Sequence, residues 1–278
     1  MTKTLITTDS ACCIPLGFFS EDIPVIQADV KTKSGSFRES REITSENVLE
    51  YAKRERKAPE LVCPSVEDYE KFFSEHLKKA SSICHLSCAA GIRNSYSNAL
   101  KAASGLKNVF VADSKQIGGG MLLQLSQAVR LADEGFSPEF IIKSIDELNP
   151  HIIGGYVSKN ASWLGYLKLV PITLSLALDF VGILPTLTVK NGSPVSGAIF
   201  KKGCEYFEGY IKKMLGKAKH LDKSIIIVSC PGPFGKTIER YRYEIEKYAD
   251  FDRVVFTDIP AELTCRLGEE SLGIHFLS

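Results

Sequence analysis

Short β-branched runs alternate with helical patterns through the first half of this chain, and no other feature restricts the fold as much. Thr4–Thr8, Val25–Val30, Ile83–Ser87 and Val109–Ala112 read as strands. Ser45–Arg56, Glu67–Lys79, Ser95–Ala103 and Ile117–Asp133 read as helices, the second opened by the capping pattern Pro64-Ser65-x-x-Asp68. Strands separated by helices make a parallel or mostly parallel sheet covered by helices, so the expected class is α/β. After Pro138–Leu148 and the break at Asn149-Pro150 the pattern changes. Leu184–Lys190 and Val195–Phe200 flank Asn191-Gly192, a hairpin around a type I′ turn. Helix Cys204–Lys217, strand Ile225–Ser229, helix Gly235–Ala249 and strand Arg253–Thr257 follow, which suggests a C-terminal two-layer α+β domain. We therefore expect an N-terminal domain over residues 1–150, a C-terminal domain over 151–278, and a ligand cleft between them.

In an open parallel sheet, ligands bind along the carboxyl edge of the strands. The segment SSICHLSCAAGIRNSYSNA, from Ser81 to Ala99, carries a strand into small residues and then into a helix at Arg93-Asn94-Ser95. Unpaired N–H groups at a helix start carry partial positive charge, so this turn is a natural seat for an anion. Thr8-Asp9-Ser10 and Asp113-Ser114 end two strands in a similar manner, where Asp and Ser more often cap backbone N–H groups than touch ligands. Gly118-Gly119-Gly120 permits a close approach of backbone or ligand but matches neither dinucleotide nor phosphate-loop spacing.

Composition excludes several classes. With 34 basic against 33 acidic residues the chain has no charge excess for nucleic acid. Hydrophobic content of 44% with 24% charged residues fits a globular protein. MTKTLITTDS enters a strand without an apolar signal region, so a cytoplasmic protein is expected. Trp163 to Pro185 is markedly apolar, but Lys168, Pro171 and Asp179 interrupt it, and a membrane span needs about 20 nearly uninterrupted apolar residues. It reads as buried helix and strand. The eight cysteines include adjacent Cys12-Cys13 and six others scattered along the chain, with no zinc-type spacing. They read as buried free thiols, with no disulfide, metal or cofactor.

Taken together, these pieces resemble the DegV family of bacterial fatty-acid-binding proteins, which includes the acyl-binding subunits of fatty acid kinase. Thr8-Asp9-Ser10-Ala11-Cys12-Cys13-Ile14-Pro15 is similar to the family's T-D-S-x-x-D-L-P, with Cys13 in place of the second aspartate. Cys63-Pro64-Ser65 matches the tail of T-S-Q-P-S-P-x-x-F, and Ala89 to Ala99 aligns with S-S-x-L-S-G-T-Y-Q-S-A. Asp113 to Gly120 resembles D-S-x-x-x-S-x-G, and Gly268 to Gly273 stands where the family has G-P-G-A-x-G.

The departures gather at one place. The resemblance implies that the threonine and serine holding a fatty acid carboxylate fall at Leu61 and Arg93, and the histidine before the G-P-G turn at Arg266. The family's G-G-R segment is missing, with Lys168-Leu169-Val170-Pro171 in that region. The implied ligand-binding residues are Leu61, Ser65, Arg93, Asn94, Ser95 and Arg266. Arginine offers a charged planar fork suited to carboxylate or phosphate, and if Arg93 and Arg266 face the cleft without carboxylate partners, their mutual repulsion favours an anion bound between them.

The resemblance implies a lipid-binding protein, not an enzyme. It would hold a long-chain fatty acid or similar anionic amphiphile in an apolar tunnel and present it to a fatty acid kinase catalytic subunit. Each buried methylene contributes about 0.8 kcal/mol, so a long tail binds even with an imperfect head-group site. One alternative is a binding module for a small phosphorylated or dicarboxylic metabolite, clamped by Arg93 and Arg266. Another is a cysteine-dependent hydrolase using Cys88 or Cys230 with His85 or His275.

Overall fold

The structure, a computed structural model, describes residues 4–166, 168–201, 203, 206–216, 220–232 and 235–278. The first half runs β1 (Thr4–Asp9), β2 (Val25–Ile26), β3 (Asp29–Thr32), β4 (Gly35–Arg38), α1 (Ser45–Glu55), β5 (Glu60–Val62) and α2 (Val66–His76). It continues through β6 (Ser82–Ser87), α3 (Ser95–Ala103), β7 (Val109–Asp113), α4 (Gly119–Asp133) and α5 (Pro138–Leu148). The second half begins with β8 (Ile152–Ser158), α6 (Trp163–Tyr166), α7 (Ile172–Phe180), β9 (Ile183–Lys190) and β10 (Ser193–Lys201). It ends with α8 (Tyr206–Leu215), β11 (Ile226–Ser229), α9 (Gly235–Glu246), β12 (Val254–Thr257), α10 (Ala261–Leu267) and β13 (Ser271–Leu277). Both ends expected for the helix Cys204–Lys217 lie outside the described residues.

The first sheet has the order β2-β1-β6-β7, and every pairing in it is parallel. Successive residues of a strand point to opposite faces, and β6 shows it. Ile83 packs with Tyr69, Phe73, Ala99 and Ala102 of α2 and α3, whereas Cys84 and Leu86 join Met121, Leu125 and Ile141 of α4 and α5. The second sheet has the order β10-β9-β8-β13-β11-β12 and is antiparallel except for the pair β11–β12. One face of it packs on α8 and α9 through Val157, Leu184, Ile226, Val228 and Phe276. Tyr156, Leu187 and Ile227, on the other face, share a core with Met121 and Leu122 of α4. α4 therefore lies between the two sheets and belongs to both cores.

The glycine triplet makes that close packing possible. A Cβ on Gly118, whose φ is +61°, would stand 2.2 Å from the Tyr156 hydroxyl, and one on Gly119 would stand 2.6 Å from His275 Nδ1. These glycines serve the approach of α4 to β8 and β13, not a phosphate.

Two expectations need correction. Val25–Val30 is not one strand: β2 pairs with β1, while β3 enters a third, antiparallel sheet of order β4-β3-β5. The chain breaks at Ala28, whose N–H donates to Ser10 Oγ (3.0 Å) and whose carbonyl accepts from Glu39 N (2.8 Å), so no strand neighbour remains for it. That third sheet was not legible because its strands are only three or four residues long. The apolar stretch from Trp163 is not wholly buried either. Trp163 and Leu164 are in the core, but α7 carries apolar side chains around its whole circumference and can bury only one side. Ile172, Leu174 and Leu176 are exposed, and Phe180 is 93% exposed. Among the described residues no helix is long and apolar enough to cross a membrane.

Candidate functional site

The carboxyl edge of the first sheet is tied together by Asp9, at the end of β1. Its carboxylate accepts hydrogen bonds from Tyr69 Oη and Ser87 Oγ (2.6 Å each), Cys88 N (2.8 Å) and His85 Nε2 (3.1 Å). Burial works to raise its pKa, but His85, Ser87 and Tyr69 outweigh it and hold the carboxyl below its ordinary value. Thr7 Oγ1 contacts the other ring nitrogen of His85 at 2.8 Å, so both nitrogens are engaged. Asp113 likewise caps its loop, accepting from Ala90 N (3.2 Å) and Lys115 N (2.9 Å). Both aspartates shape the edge; both oxygens of Asp9 are engaged, and Asp113 takes both of its bonds on Oδ1.

Next to that edge lies a cavity of about 750 Å³. Its walls come from Val30 and Leu61 of the small sheet, Ala52, Arg56 and Lys57 at the end of α1, and Ile92, Arg93 and Asn94 before α3. Ala261, Glu262, Cys265 and Arg266 of α10 close it. A second cavity of about 320 Å³, lined by Ile117, Leu187, Val189, Pro194, Leu263 and Lys168 among others, shares Ile92, Glu262 and Arg266 with the first. The two spaces share those three residues; the larger adds Arg56, Lys57 and Arg93 to its walls, and the smaller adds Ile117, Leu187, Val189 and Leu263 beside Lys168.

Four of the six residues named from sequence, Leu61, Arg93, Asn94 and Arg266, line the larger cavity. Ser65 does not: it is the N-cap of α2, and its hydroxyl accepts from Asp68 N (3.1 Å) and donates to Asp68 Oδ2 (2.9 Å) in a reciprocal capping box. Ser95 is buried as the first residue of α3 and is not on the cavity wall.

The condition for an anion held between two free guanidinium groups is not met, since both have carboxylate partners. Arg93 is 4% exposed and grips Glu39 in bidentate fashion, with Nη1 to Oε2 at 2.7 Å and Nη2 to Oε1 at 2.8 Å. Its Nε reaches Glu262 Oε2 at 3.3 Å, and the other oxygen of Glu262 accepts from Arg266 Nη2 at 2.8 Å. The physical reason is plain: a guanidinium buried this deeply requires a counter-charge. Glu39, just past β4, also accepts from Ser10 Oγ (2.6 Å) and from Ala261 N (2.9 Å) at the start of α10. Burial pushes the Glu39 pKa up, but Arg93, Ser10 and Ala261 outweigh it and keep the carboxyl below its usual range. Arg266 keeps a half-open position, with 29% of its side chain exposed.

Glu39 and Glu262 were missed by sequence reasoning. An arginine in place of a small hydroxyl implied some carboxylate nearby, but nothing in the spacing said that it would come from residues 54 and 169 positions away.

The thiols do not form a nucleophile site. Burial raises the pKa of Cys88 well above its ordinary value and that of Cys230 to about 12. His275 is pushed down to about 3 by burial, which leaves it neutral. The seven described cysteines are free; Cys204 lies outside the described residues.

A parallel sheet and an antiparallel sheet sharing one helix, with two cavities that share a wall beside them, define a two-sheet α/β protein. The family model for DegV, described as a family of uncharacterised proteins, matches residues 3–277, and the chain belongs to that family. It is 28% identical over 188 residues to a DegV domain-containing protein of Staphylococcus aureus, covering 62% of this chain and 67% of that one. Among solved structures it is similar to a fatty-acid-binding DegV family protein from Thermus thermophilus, with a TM-score of 0.84 at 17% identity over 99% of each chain. The Streptococcus pneumoniae fatty acid kinase (Fak) B3 protein, solved loaded with linoleic acid, aligns with a TM-score of 0.80 at 15% identity. That alignment covers all of this chain and 99% of that one.

Proposed function

We propose that this protein is an acyl-chain carrier. It holds the tail of a long-chain fatty acid or similar anionic amphiphile along Ile117, Leu187, Val189 and Leu263 of the smaller cavity, with the head group in the larger one. The observation that carries this reading is the apolar run Ile117, Leu187, Val189 and Leu263 beside the charged residues Glu262 and Arg266, which line both cavities. An amphiphile needs that pairing, and a small polar metabolite does not. Membership of the DegV family and the fatty acids named for its structural neighbours support the same reading. Arg266 replaces Arg93 as the head-group contact, because the charge of Arg93 is already matched by Glu39, which takes both of its terminal nitrogens. The halves on either side of residue 150 would supply the two sides of the site, β9 and β10 from one and the turn before α3 from the other.

On this reading the chain has no turnover of its own. It presents its ligand, in the cytoplasm, to a kinase subunit. The hydrolase alternative is disfavoured by the raised thiol pKa values of Cys88 and Cys230. The test is mass spectrometry of material extracted from the purified protein. An acyl chain in near-stoichiometric amount is expected; a tail-less metabolite in its place would overturn the reading.

A further inference from the structure

We infer that the carboxylate seat of this site is filled by the protein's own Glu39, and that the ligand's head group is a phosphate ester rather than a free carboxylate. This rests on the acyl-carrier reading and concerns only the head.

The Glu39 carboxylate already has what a ligand carboxylate would need: a bidentate guanidinium, a hydroxyl and the backbone N–H that opens α10. All three nitrogens of the Arg93 guanidinium group are occupied, two by Glu39 and one by Glu262. A fatty acid carboxylate arriving there would find only the two remaining η N–H groups, on an arginine whose charge Glu39 already balances, and would face Glu39 across it. The groups still open to the cavity are Arg266, which gives one nitrogen to Glu262, and the exposed Arg56 and Lys57. Among the described residues neither Arg56 nor Lys57 has a carboxylate partner.

Charge decides between the two kinds of head. Arg56, Lys57, Arg93 and Arg266 surround the cavity, and only Glu262 on its wall and Glu39 behind Arg93 oppose them. Two positive charges remain. A single carboxylate would neutralise one of them, whereas a phosphate monoester carries about −1.5 to −2 with three acceptor oxygens and would neutralise both. A space of about 750 Å³ also exceeds what a bare carboxylate occupies and leaves room for a polyol between phosphate and tail. Arg266, at the junction with the apolar cavity, would meet the head where it joins the chain.

The full chain, stripped of bound lipid, is titrated by calorimetry with 1-palmitoyl-glycerol 3-phosphate, palmitic acid and glycerol 3-phosphate. The phosphate amphiphile is expected to bind about 10-fold or more tighter than palmitate, and glycerol 3-phosphate alone at least about 100-fold more weakly than either. The double variant Arg56→Gln/Lys57→Gln, changed only at exposed positions, should narrow the gap between the two amphiphiles several-fold. Palmitate binding as tightly as the phosphate amphiphile would overturn the head-group inference and leave the acyl carrier standing, as would an unchanged gap in the double variant. Tight binding of glycerol 3-phosphate without a tail, or no binding of either amphiphile, would overturn both.

Discussion

Arg93 and Glu39 hold opposite charges where water scarcely reaches, and each is tolerable only because of the other. Removing one partner of such a buried pair leaves an uncompensated charge. Arg93→Ala is therefore expected to lower stability by about 3–5 kcal/mol. Replacing both residues by apolar ones, as in Glu39→Leu/Arg93→Met, should recover most of that loss. Denaturant titration of the two variants checks this, and a loss below about 1 kcal/mol for Arg93→Ala would contradict it. The same carboxylates set the acid limit. Asp9 and Glu39 titrate below their ordinary values in the folded chain, so the stability they contribute is fully present above about pH 4 to 4.5 and is lost as pH falls through their folded values. Asp258, raised by burial, works in the opposite direction. Melting temperatures measured from pH 7 to pH 3 should fall steeply at the acid end, and less steeply in Asp9→Asn. A flat profile would count against the assignment.

The elements that announced themselves were those whose local chemistry and tertiary role agree. α3 runs as its pattern indicates, α2 opens at the Ser65 capping box, and Asn191-Gly192 turns the hairpin with φ values of 49° and 77°. β8 and β13 were hidden because glycines interrupt their strand pattern: Gly154 and Gly155 in β8, Gly273 in β13. Each glycine makes room for a neighbour across the sheet. A Cβ at Gly154 would meet the His275 ring, and one at Gly273 would meet Tyr156. The cavity wall was half legible for a related reason: Arg93 and Arg266 sit in motifs, but their partners Glu39 and Glu262 come from segments with no motif of their own. Close packing of α4 makes a direct prediction. Gly119→Ala would drive a methyl group against His275 and is expected to cost about 1–3 kcal/mol, read as a lowered melting temperature. An unchanged melting temperature would mean that the α4 contact is looser than described.

At the scale of the whole molecule, α4 joins what the sequence presents as two successive units. Met121, Leu122 and Leu125 share one core with Ile6 and Leu86 of the first sheet and with Tyr156, Leu187 and Ile227 of the second. Neither sheet can lose that helix without opening the other, so calorimetry is expected to record a single cooperative transition. Two separable transitions would show that the halves fold independently.

The reach of Glu39 has a consequence for how the protein is made. Its carboxylate closes on Ala261, 222 residues further along, and its partner Arg93 closes on Glu262, 169 residues further along. At a synthesis rate of about 5–20 residues per second, Arg93 emerges about 10–30 s before Glu262 exists. Through that interval the nascent chain carries a buried-type ion pair and an apolar α4 with half their neighbours unmade. Its first sheet must wait, shielded or fluctuating, for the last helix to arrive.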